Sequence, residues 1–275
     1  MDESDAKQAA ATAKGTAKQT AHKVGNSTVV EYGARLGYAA SGLLHFLMGW
    51  ITLRIALGSS TGDSADQSGA FNSIANTAGG GALLWIIMVG FALLALWQVS
   101  EAVTGGYGGE ASDRIKAASK AVMYAVLAWT AFTFARGGRT SSKEQTRDFT
   151  ASFMDSTIGR IFIGAVGLGI VAVGAYHVYK GWKKKFLEDL AEHPPTFAVH
   201  AGRIGYIAKG FALGVVGVLF VLGAWKGSTE KTTGLDGALN TLRDGPFGTV
   251  LLALVALGLM AFGVYAFARA RYTRV

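Results

Sequence analysis

The sequence repeats one pattern of landmarks three times. Each copy opens with an arginine, and the same number of residues separates that arginine from a glycine in a later apolar stretch. The aligned positions are Arg35, Arg114 and Arg203; Gly80, Gly159 and Gly248; Gly90, Gly169 and Gly258; and Trp97, Tyr176 and Tyr265. Equal spacing of glycine and aromatic landmarks indicates one repeated structural unit. The units cover about 34–105, 113–182 and 202–271.

Each unit contains two apolar stretches. A helix of about 20 apolar residues crosses the roughly 30 Å hydrocarbon layer, and a helix satisfies its own backbone hydrogen bonds in lipid. Charged residues make up only 16% of the chain, against about a quarter in soluble proteins. The six stretches lie at about 36–57, 82–103, 117–135, 160–181, 205–225 and 247–268. The sequence therefore predicts an all-α integral membrane domain over residues 31–275.

Two spans per unit give every unit the same orientation in the membrane. We therefore expect six transmembrane helices arranged as three tandem helical hairpins, with pseudo-threefold symmetry along the membrane normal. Most of the 26 Lys and Arg residues fall in the N-terminal tail, in the connections between units and in the C-terminal tail. The positive-inside rule then predicts that both termini are cytoplasmic.

Residues 1–30 are polar and basic, so we expect a disordered cytoplasmic tail without a cleavable secretory signal. The positive charge is spread over loops rather than set among base-stacking aromatics, so nucleic acid is not an expected partner. The expected partners are the lipid bilayer and its anionic headgroups. A larger membrane protein complex is a further candidate partner.

The first span carries a polar pair, Ser41 and His45, on a stripe of small residues. An ionisable residue this deep in a membrane helix is a functional candidate by default. The alternative is a neutral imidazole that hydrogen-bonds a carbonyl or hydroxyl across the bundle. The equivalent positions are Tyr124 and Leu213, which excludes a threefold proton or metal site.

Two sets of equivalent positions differ in charge between the units. The first set is Ser41, Lys120 and Lys209; the second is Glu101, Lys180 and Arg269. If the units surround a common axis, these side chains crowd its cytoplasmic end. Alternatively, the cationic side chains snorkel outward to the headgroups. Both alternatives stay open for Lys120 and Lys209, and snorkelling is the expectation for Lys180 and Arg269.

Two kinds of short helix are expected outside the spans. After Trp182, a basic segment predicts an interfacial helix that directs Lys183, Lys184 and Lys185 to anionic headgroups, with Phe186, Leu187 and Leu190 toward the hydrocarbon. The polar loop inside each unit predicts a short amphipathic helix at the outer surface. The polar residues that follow these helices are expected to form the turn or to cap the next span; they are Asn76, Asp155 and Asp244.

Motifs of catalysis are not found. The chain has no cysteine, and no phosphate-binding loop, HExxH motif or nucleophile elbow can be read in it. The histidines lack the close spacing and the carboxylates of a metal site. We therefore expect a protein that is not an enzyme, with no catalytic, metal-binding or cofactor-binding residues and no cofactor.

The units open with a shared motif, Arg35-Leu-Gly-Tyr38 in the first and Arg203-Ile-Gly-Tyr206 in the third. With it the chain resembles, over about 34–271, the bacterial membrane family catalogued as domain of unknown function 1206. The second unit departs from the motif, since Lys116-Ala117 replaces Gly-Tyr. The resemblance implies a six-helix protein of the bacterial plasma (inner) membrane. It implies no activity and no site residues.

Two functions fit these observations. The first is a non-enzymatic multi-pass membrane protein, a scaffold or accessory subunit that binds lipid or a larger membrane complex. Abundant packing residues and few polar groups within the spans favour it. The alternative is a channel or transport pathway for a small solute or anion along the pseudo-threefold axis. Its lining would comprise Ser41, His45, Lys120, Tyr124 and Lys209, with Glu101 as a counter-charge.

Overall fold

The computed structural model describes residues 27–59, 62–105, 110–229 and 232–273, with isolated positions 8, 12, 15, 16 and 19. The predicted tail 1–30 therefore lies largely outside the described residues. Within the continuous ranges there are nine α-helices and one short 3₁₀ helix, Lys185–Asp189. The α-helices are α1 Thr28–Ala56, α2 Gln67–Ala75, α3 Gly80–Thr104, α4 Ala111–Ala135, α5 Ser142–Met154, α6 Thr157–Trp182, α7 Thr196–Lys226, α8 Gly234–Arg243 and α9 Gly248–Tyr272.

Six of these helices are long and apolar enough to cross a membrane: α1, α3, α4, α6, α7 and α9. Each unit contributes two of them, joined by one of the short helices α2, α5 and α8. This confirms the predicted all-α integral membrane fold built from three tandem hairpin units. We call the end of the bundle where α1 begins and α9 ends the basic end, and the end that carries the short helices the capped end.

The spans pack most extensively between units rather than within them. Helix α3 packs on α4, α6 on α7, and α9 on α1, so each unit contacts the next in cyclic order. Glycines make these contacts close. A methyl group added to Gly174 of α6 would lie 2.7 Å from the carbonyl oxygen of Gly210 on α7. Small residues permit such backbone contact in lipid, where packing rather than the hydrophobic effect drives helix association.

The second unit does not close its hairpin. Helix α1 packs on α3 and α7 packs on α9, but the described residues form no comparable contact between α4 and α6. In the first unit, a methyl group on Gly37 would lie 2.8 Å from the Leu94 side chain. The second unit has Lys116 at the position of Gly37, and its long charged side chain prevents an equally close approach. We call the resulting gap between α4 and α6 the lateral opening.

An aromatic contact within the hairpin is also lost in the second unit. Tyr38 meets Trp97 edge to face in the first unit, with ring centroids 6.4 Å apart. The corresponding residues of the second unit are Ala117 and Tyr176. Alanine cannot bridge to the facing helix, and Tyr176 is 51% exposed. Two neighbouring substitutions in the sequence thus account for the lateral opening.

The short helices close the capped end of the bundle. Asp236 of α8 accepts a hydrogen bond from the Ala65 backbone N–H at 3.0 Å and pairs with Lys143 of α5 at 3.3 Å. The Ser142 N–H donates to Ser68 Oγ at 3.2 Å. Leu235 packs against three of the apolar clusters of the core. The three connections therefore form one lid across the axis.

Of the two roles predicted for the polar residues after the short helices, the turn is confirmed and the capping of the next span is wrong. Asn76, Asp155 and Asp244 each end a short helix as its C-cap. The spans that follow have Gly79, Ser156 and Phe247 at their N-caps. The turn lies where the sequence predicts it, but the polar residue ends the preceding helix and does not begin the next span.

The segment after α6 folds under the bundle rather than into the surrounding membrane. Phe186 is fully buried and packs on Tyr206 and Tyr265, and the Tyr265 hydroxyl donates to the Phe186 carbonyl at 3.1 Å. The Ala191 N–H donates to the Tyr272 carbonyl at 2.7 Å. The expectation that Phe186 and Leu190 face hydrocarbon was therefore wrong. We call residues 185–191 the closing segment, because they cover part of the basic end.

Candidate functional site

Charged side chains from five different elements lie together at the basic end of the bundle. We call this group, defined by Lys120, Lys180, Asp189, Lys209 and Arg269, the axial cluster. Four of its members occupy the two sets of positions that the repeats make equivalent. Asp189 comes from the closing segment. The cyclic packing of the units brings these positions together, because equivalent residues lie at equal depth around the axis.

Asp189 holds two of the cations. Its Oδ2 atom accepts a hydrogen bond from Lys180 Nζ at 2.7 Å and lies 3.7 Å from Arg269 Nη2. The Lys180 and Arg269 side chains are only 15% and 16% exposed. Both side chains point into the bundle, so the expectation that they snorkel outward was wrong. A carboxylate supplied by the closing segment offsets the cost of burying them.

Arg269 lies against the first helix. Its guanidinium carbon is 4.4 Å from the centre of the Tyr38 ring, and Nη2 donates to the Tyr38 hydroxyl at 3.4 Å. The Nε atom of Arg269 is buried and has no hydrogen-bond partner. A buried donor without an acceptor costs about 1–3 kcal/mol. The site therefore holds an unused donor on a buried cation.

Lys209 is paired with the deep histidine. Its Nζ atom lies 3.0 Å from His45 Nε2 and 4.3 Å from the centre of the Phe262 ring. His45 Nδ1 lies 2.7 Å from the Ser41 carbonyl oxygen, which can only accept, so Nδ1 carries the proton and Nε2 accepts from the ammonium. The imidazole bonds a carbonyl of its own helix, so the expectation of a carbonyl or hydroxyl partner across the bundle was wrong; the partner across the bundle is Lys209. Ser41, His45 and Lys209 thus form one contact between α1 and α7.

Lys120 lies on α4, beside the lateral opening. It precedes Tyr124 by one helical turn and shares its face. The Tyr124 ring is buried and packs between Phe91, at 6.0 Å, and Tyr38, at 6.4 Å. Lys120 itself is exposed, because the lateral opening leaves its side uncovered. Its charge acts on Asp189 and on Glu101.

Negative charge in this region is scarce. Asp189 pairs with two of the four cations, Lys180 and Arg269, and Glu101 adds a second carboxylate within electrostatic range of Lys120. Among the ion pairs of the described residues, neither Lys120 nor Lys209 has a carboxylate within 4.0 Å. Two positive charges are therefore left uncompensated at a depth where charge is costly.

The electrostatics of Asp189 follow from this excess. Burial by itself raises the pKa of its carboxyl, but the Arg269 and Lys180 cations outweigh that effect, with a smaller contribution from Lys120. The pKa of Asp189 therefore lies below its ordinary value. Asp189 is a carboxylate at neutral pH and occupies part of the space where an anion would bind.

The three lysines that follow α6 differ in their exposure. Lys183 and Lys184 are exposed, as a contact with headgroups requires. Lys185 is partly buried and lies 5.3 Å from the centre of the Tyr179 ring. These lysines lie outside the axial cluster.

An anion is the ligand that this arrangement can hold. Ammonium and guanidinium groups around a partly closed space form charge-assisted hydrogen bonds with a phosphate, sulfate or carboxylate. The described residues contain no group of three or more His, Asp or Glu side chains placed to hold a metal ion. Sequence reasoning identified Lys120, Lys209, His45 and Ser41 but missed Asp189 and Tyr38. Asp189 gives no local signal, because it follows a basic run that is typical of a membrane surface.

Comparisons with known proteins agree with the repeat. The model of the family described as Domain of Unknown Function (DUF1206) matches the chain three times, over residues 36–105, 115–184 and 204–273. The chain is 29% identical over 249 residues to "Uncharacterized protein YxxB" of Bacillus subtilis (strain 168), covering 86% of this chain and 89% of that protein. No solved structure matches the chain.

Proposed function

The chain belongs to the family described as Domain of Unknown Function (DUF1206), and from this premise we propose that it is a non-enzymatic multi-pass protein of the bacterial plasma membrane that binds an anion at the axial cluster. The basic end, with both termini, faces the cytoplasm. The positive-inside rule supports this orientation, because the Lys and Arg residues concentrate at that end.

The observation that carries the proposal is the uncompensated charge of the axial cluster. Lys120 and Lys209 have no carboxylate partner among the described ion pairs, and Arg269 Nε has no acceptor. A bound anion would supply both, and cationic groups held in fixed positions favour anion binding by charge-assisted hydrogen bonds.

A continuous pathway along the axis fits the geometry less well than a binding site. The lid of α2, α5 and α8 covers one end. The middle of the bundle is filled by buried apolar side chains, among them Leu44, Met48 and Phe91. Of the anion pathway considered from the sequence, we therefore retain anion binding and drop transport through the protein.

An accessory role in a larger complex is the second candidate. Helix α6 favours it, because this span is the least buried of the six. A partner's helix against α6 would cover apolar side chains such as Leu168, which is 63% exposed. Stable co-purification with one partner in several mild detergents supports this role, and isolation as a lone monomer in all of them contradicts it.

Anion binding is tested with the purified full chain in a neutral detergent. Inorganic phosphate should raise the thermal unfolding midpoint more than chloride at equal ionic strength, by about 2.7 kcal/mol of stabilisation at a hundred times Kd. Lys120→Gln should weaken the phosphate effect. Lys226→Gln, an exposed lysine at the capped end, should retain it. Equal stabilisation by phosphate and chloride, or equal loss in both variants, would contradict the proposal.

A further inference from the structure

The lateral opening leads from the surrounding membrane to the axial cluster. The mouth lies between α4 and α6, where Lys116 and Val173 stand exposed at positions that are packed against each other in the other two units. Lys120 is exposed to the opening, yet its charge acts on Asp189. Lys120 therefore lies between the surrounding membrane and the cations inside the bundle.

The other routes to the cluster are covered. The lid of short helices closes the capped end. At the basic end, the closing segment buries Phe186 against Tyr206 and Tyr265, and its backbone pairs with the C-terminal residues at Leu190 and Thr273. The gap between two spans is the route that packing leaves free in the described part of the chain.

The walls of the opening are apolar beyond the cations. Val173 lies one turn from His177 on α6 and is 49% exposed, and Met123 follows Lys120 on α4 and is 47% exposed. Gly169, one turn further along α6, has no atom within 4 Å of an added methyl group. The opening therefore presents cations near the basic end and hydrocarbon surface toward the membrane centre.

We propose that this opening admits an anionic phospholipid from the surrounding leaflet, with its phosphate at the axial cluster and its acyl chain between α4 and α6. The inference rests on the proposed anion-binding function and names the class of its ligand. Lys120 lies six residues past Arg114, about 9 Å along the helix at 1.5 Å per residue. A lipid phosphate therefore reaches the cluster by a small inward displacement from the headgroup layer.

A lipid matches the opening better than a protein helix does. Its phosphate brings the negative charge that Lys120 and Lys209 lack and an acceptor for Arg269 Nε, while its acyl chain covers Met123 and Val173. A partner's helix would have to carry carboxylates at this depth, where they are costly. Charge complementarity and the apolar walls are thus met by one molecule that the membrane already supplies.

Native mass spectrometry of the full chain tests the inference. The protein is released from detergent with dioleoylphosphatidylglycerol or dioleoylphosphatidylcholine added at equal concentration. Wild type should retain one phosphatidylglycerol at least tenfold more than phosphatidylcholine, because both lipids carry a phosphate but phosphatidylcholine also brings a cation that the lysines and the arginine repel. Lys120→Gln should lower that retention about tenfold, and Lys226→Gln should leave it unchanged.

A blocking experiment tests the route without changing any charge. Because the chain has no cysteine, Val173→Cys can be labelled with a bulky neutral maleimide inside the opening. Leu168→Cys, on the same helix and 63% exposed, gives the matched control. Labelling at 173 should reduce phosphatidylglycerol retention at least fivefold, and labelling at 168 should not.

The outcomes separate the two proposals. Phosphate stabilisation without preferential phosphatidylglycerol retention overturns the lipid inference and leaves anion binding intact. If wild type shows neither phosphate stabilisation nor preferential phosphatidylglycerol retention, the anion-binding function is overturned as well. If neither Lys120→Gln nor the label at position 173 reduces phosphatidylglycerol retention, the lipid binds at the outer surface and the inference is overturned.

Discussion

Tyr206 and Tyr265 pack edge to face within the third unit, with ring centroids 5.6 Å apart. The second unit cannot form this contact, because it carries Ala117 and Tyr176 at the equivalent positions. Beside it, Lys116 replaces the glycine that lets the other hairpins close. A difference of two residues between repeats thus creates the asymmetry on which access to the axial cluster depends.

Restoring the motif should close the hairpin. The double variant Lys116→Gly/Ala117→Tyr gives the second unit the Gly-Tyr pair of the other two, and α4 should then approach α6. Spin labels on Met123→Cys and Val173→Cys should move closer by several ångströms, about the difference between an open gap and the 8–10 Å of packed helices. Phosphatidylglycerol retention should fall while phosphate stabilisation persists. An unchanged label distance would show that these two residues do not cause the opening.

Glycine replacements on α6 should differ sharply with position. Gly174→Ala places a methyl group 2.7 Å from the Gly210 carbonyl oxygen, and overpacking of this kind costs about 1–3 kcal/mol. Gly169→Ala meets nothing within 4 Å and should be neutral or stabilise by up to about 1 kcal/mol, because alanine suits a helix better than glycine. Thermal unfolding in detergent measures both. Equal destabilisation by the two replacements would contradict the packing of α6 on α7, in which Gly174 contacts α7 and Gly169 does not.

The contact between His45 and Lys209 should show strong coupling. His45→Leu leaves a partly buried ammonium without its acceptor and should destabilise the protein by about 1–3 kcal/mol. In a Lys209→Met background the same change should cost much less, because no charge remains to be satisfied. A double-mutant cycle on unfolding free energies gives the coupling. Additive effects would show that the two side chains do not interact.

Acid should weaken the closing segment through Asp189. Its pKa lies below the ordinary value, so the folded state binds its proton less readily than the unfolded state. The stabilisation is therefore present above the unfolded pKa of about 3.9 and is lost as pH falls through the folded pKa. Asp189→Asn should flatten the fall in unfolding midpoint between pH 6 and pH 3.

Asp148→Asn provides the control for that prediction, because Asp148 is exposed and should leave the acid dependence close to that of wild type. At neutral pH, Asp189→Asn should also strengthen phosphate stabilisation, since it removes the carboxylate that competes for Lys180 and Arg269. A weaker phosphate effect in this variant would mean that Asp189 helps to form the site rather than to fill it.

The repeat and the apolar stretches by themselves determine the fold class. Six stretches of membrane-spanning length, two per unit and in one register, allow only an all-helical arrangement in lipid. Register also placed Lys120 with Lys209, and Lys180 with Arg269, at equal depths. These properties are local or periodic, so they can be read along the chain.

The direction of each charged side chain was decided by tertiary structure. Lys180 and Arg269 stand near the end of a span, where snorkelling to headgroups and pairing inside the bundle are both open to a long cation. Asp189 selects the inward direction, because the closing segment folds back under the axis and brings a carboxylate within 2.7 Å of Lys180. The lateral opening likewise depends on two helices that fail to meet. The departure of Lys116 and Ala117 from the repeat can be read along the chain. The gap between the helices and the ion pair at Asp189 are nevertheless set by contacts between residues distant in sequence, which no periodicity encodes.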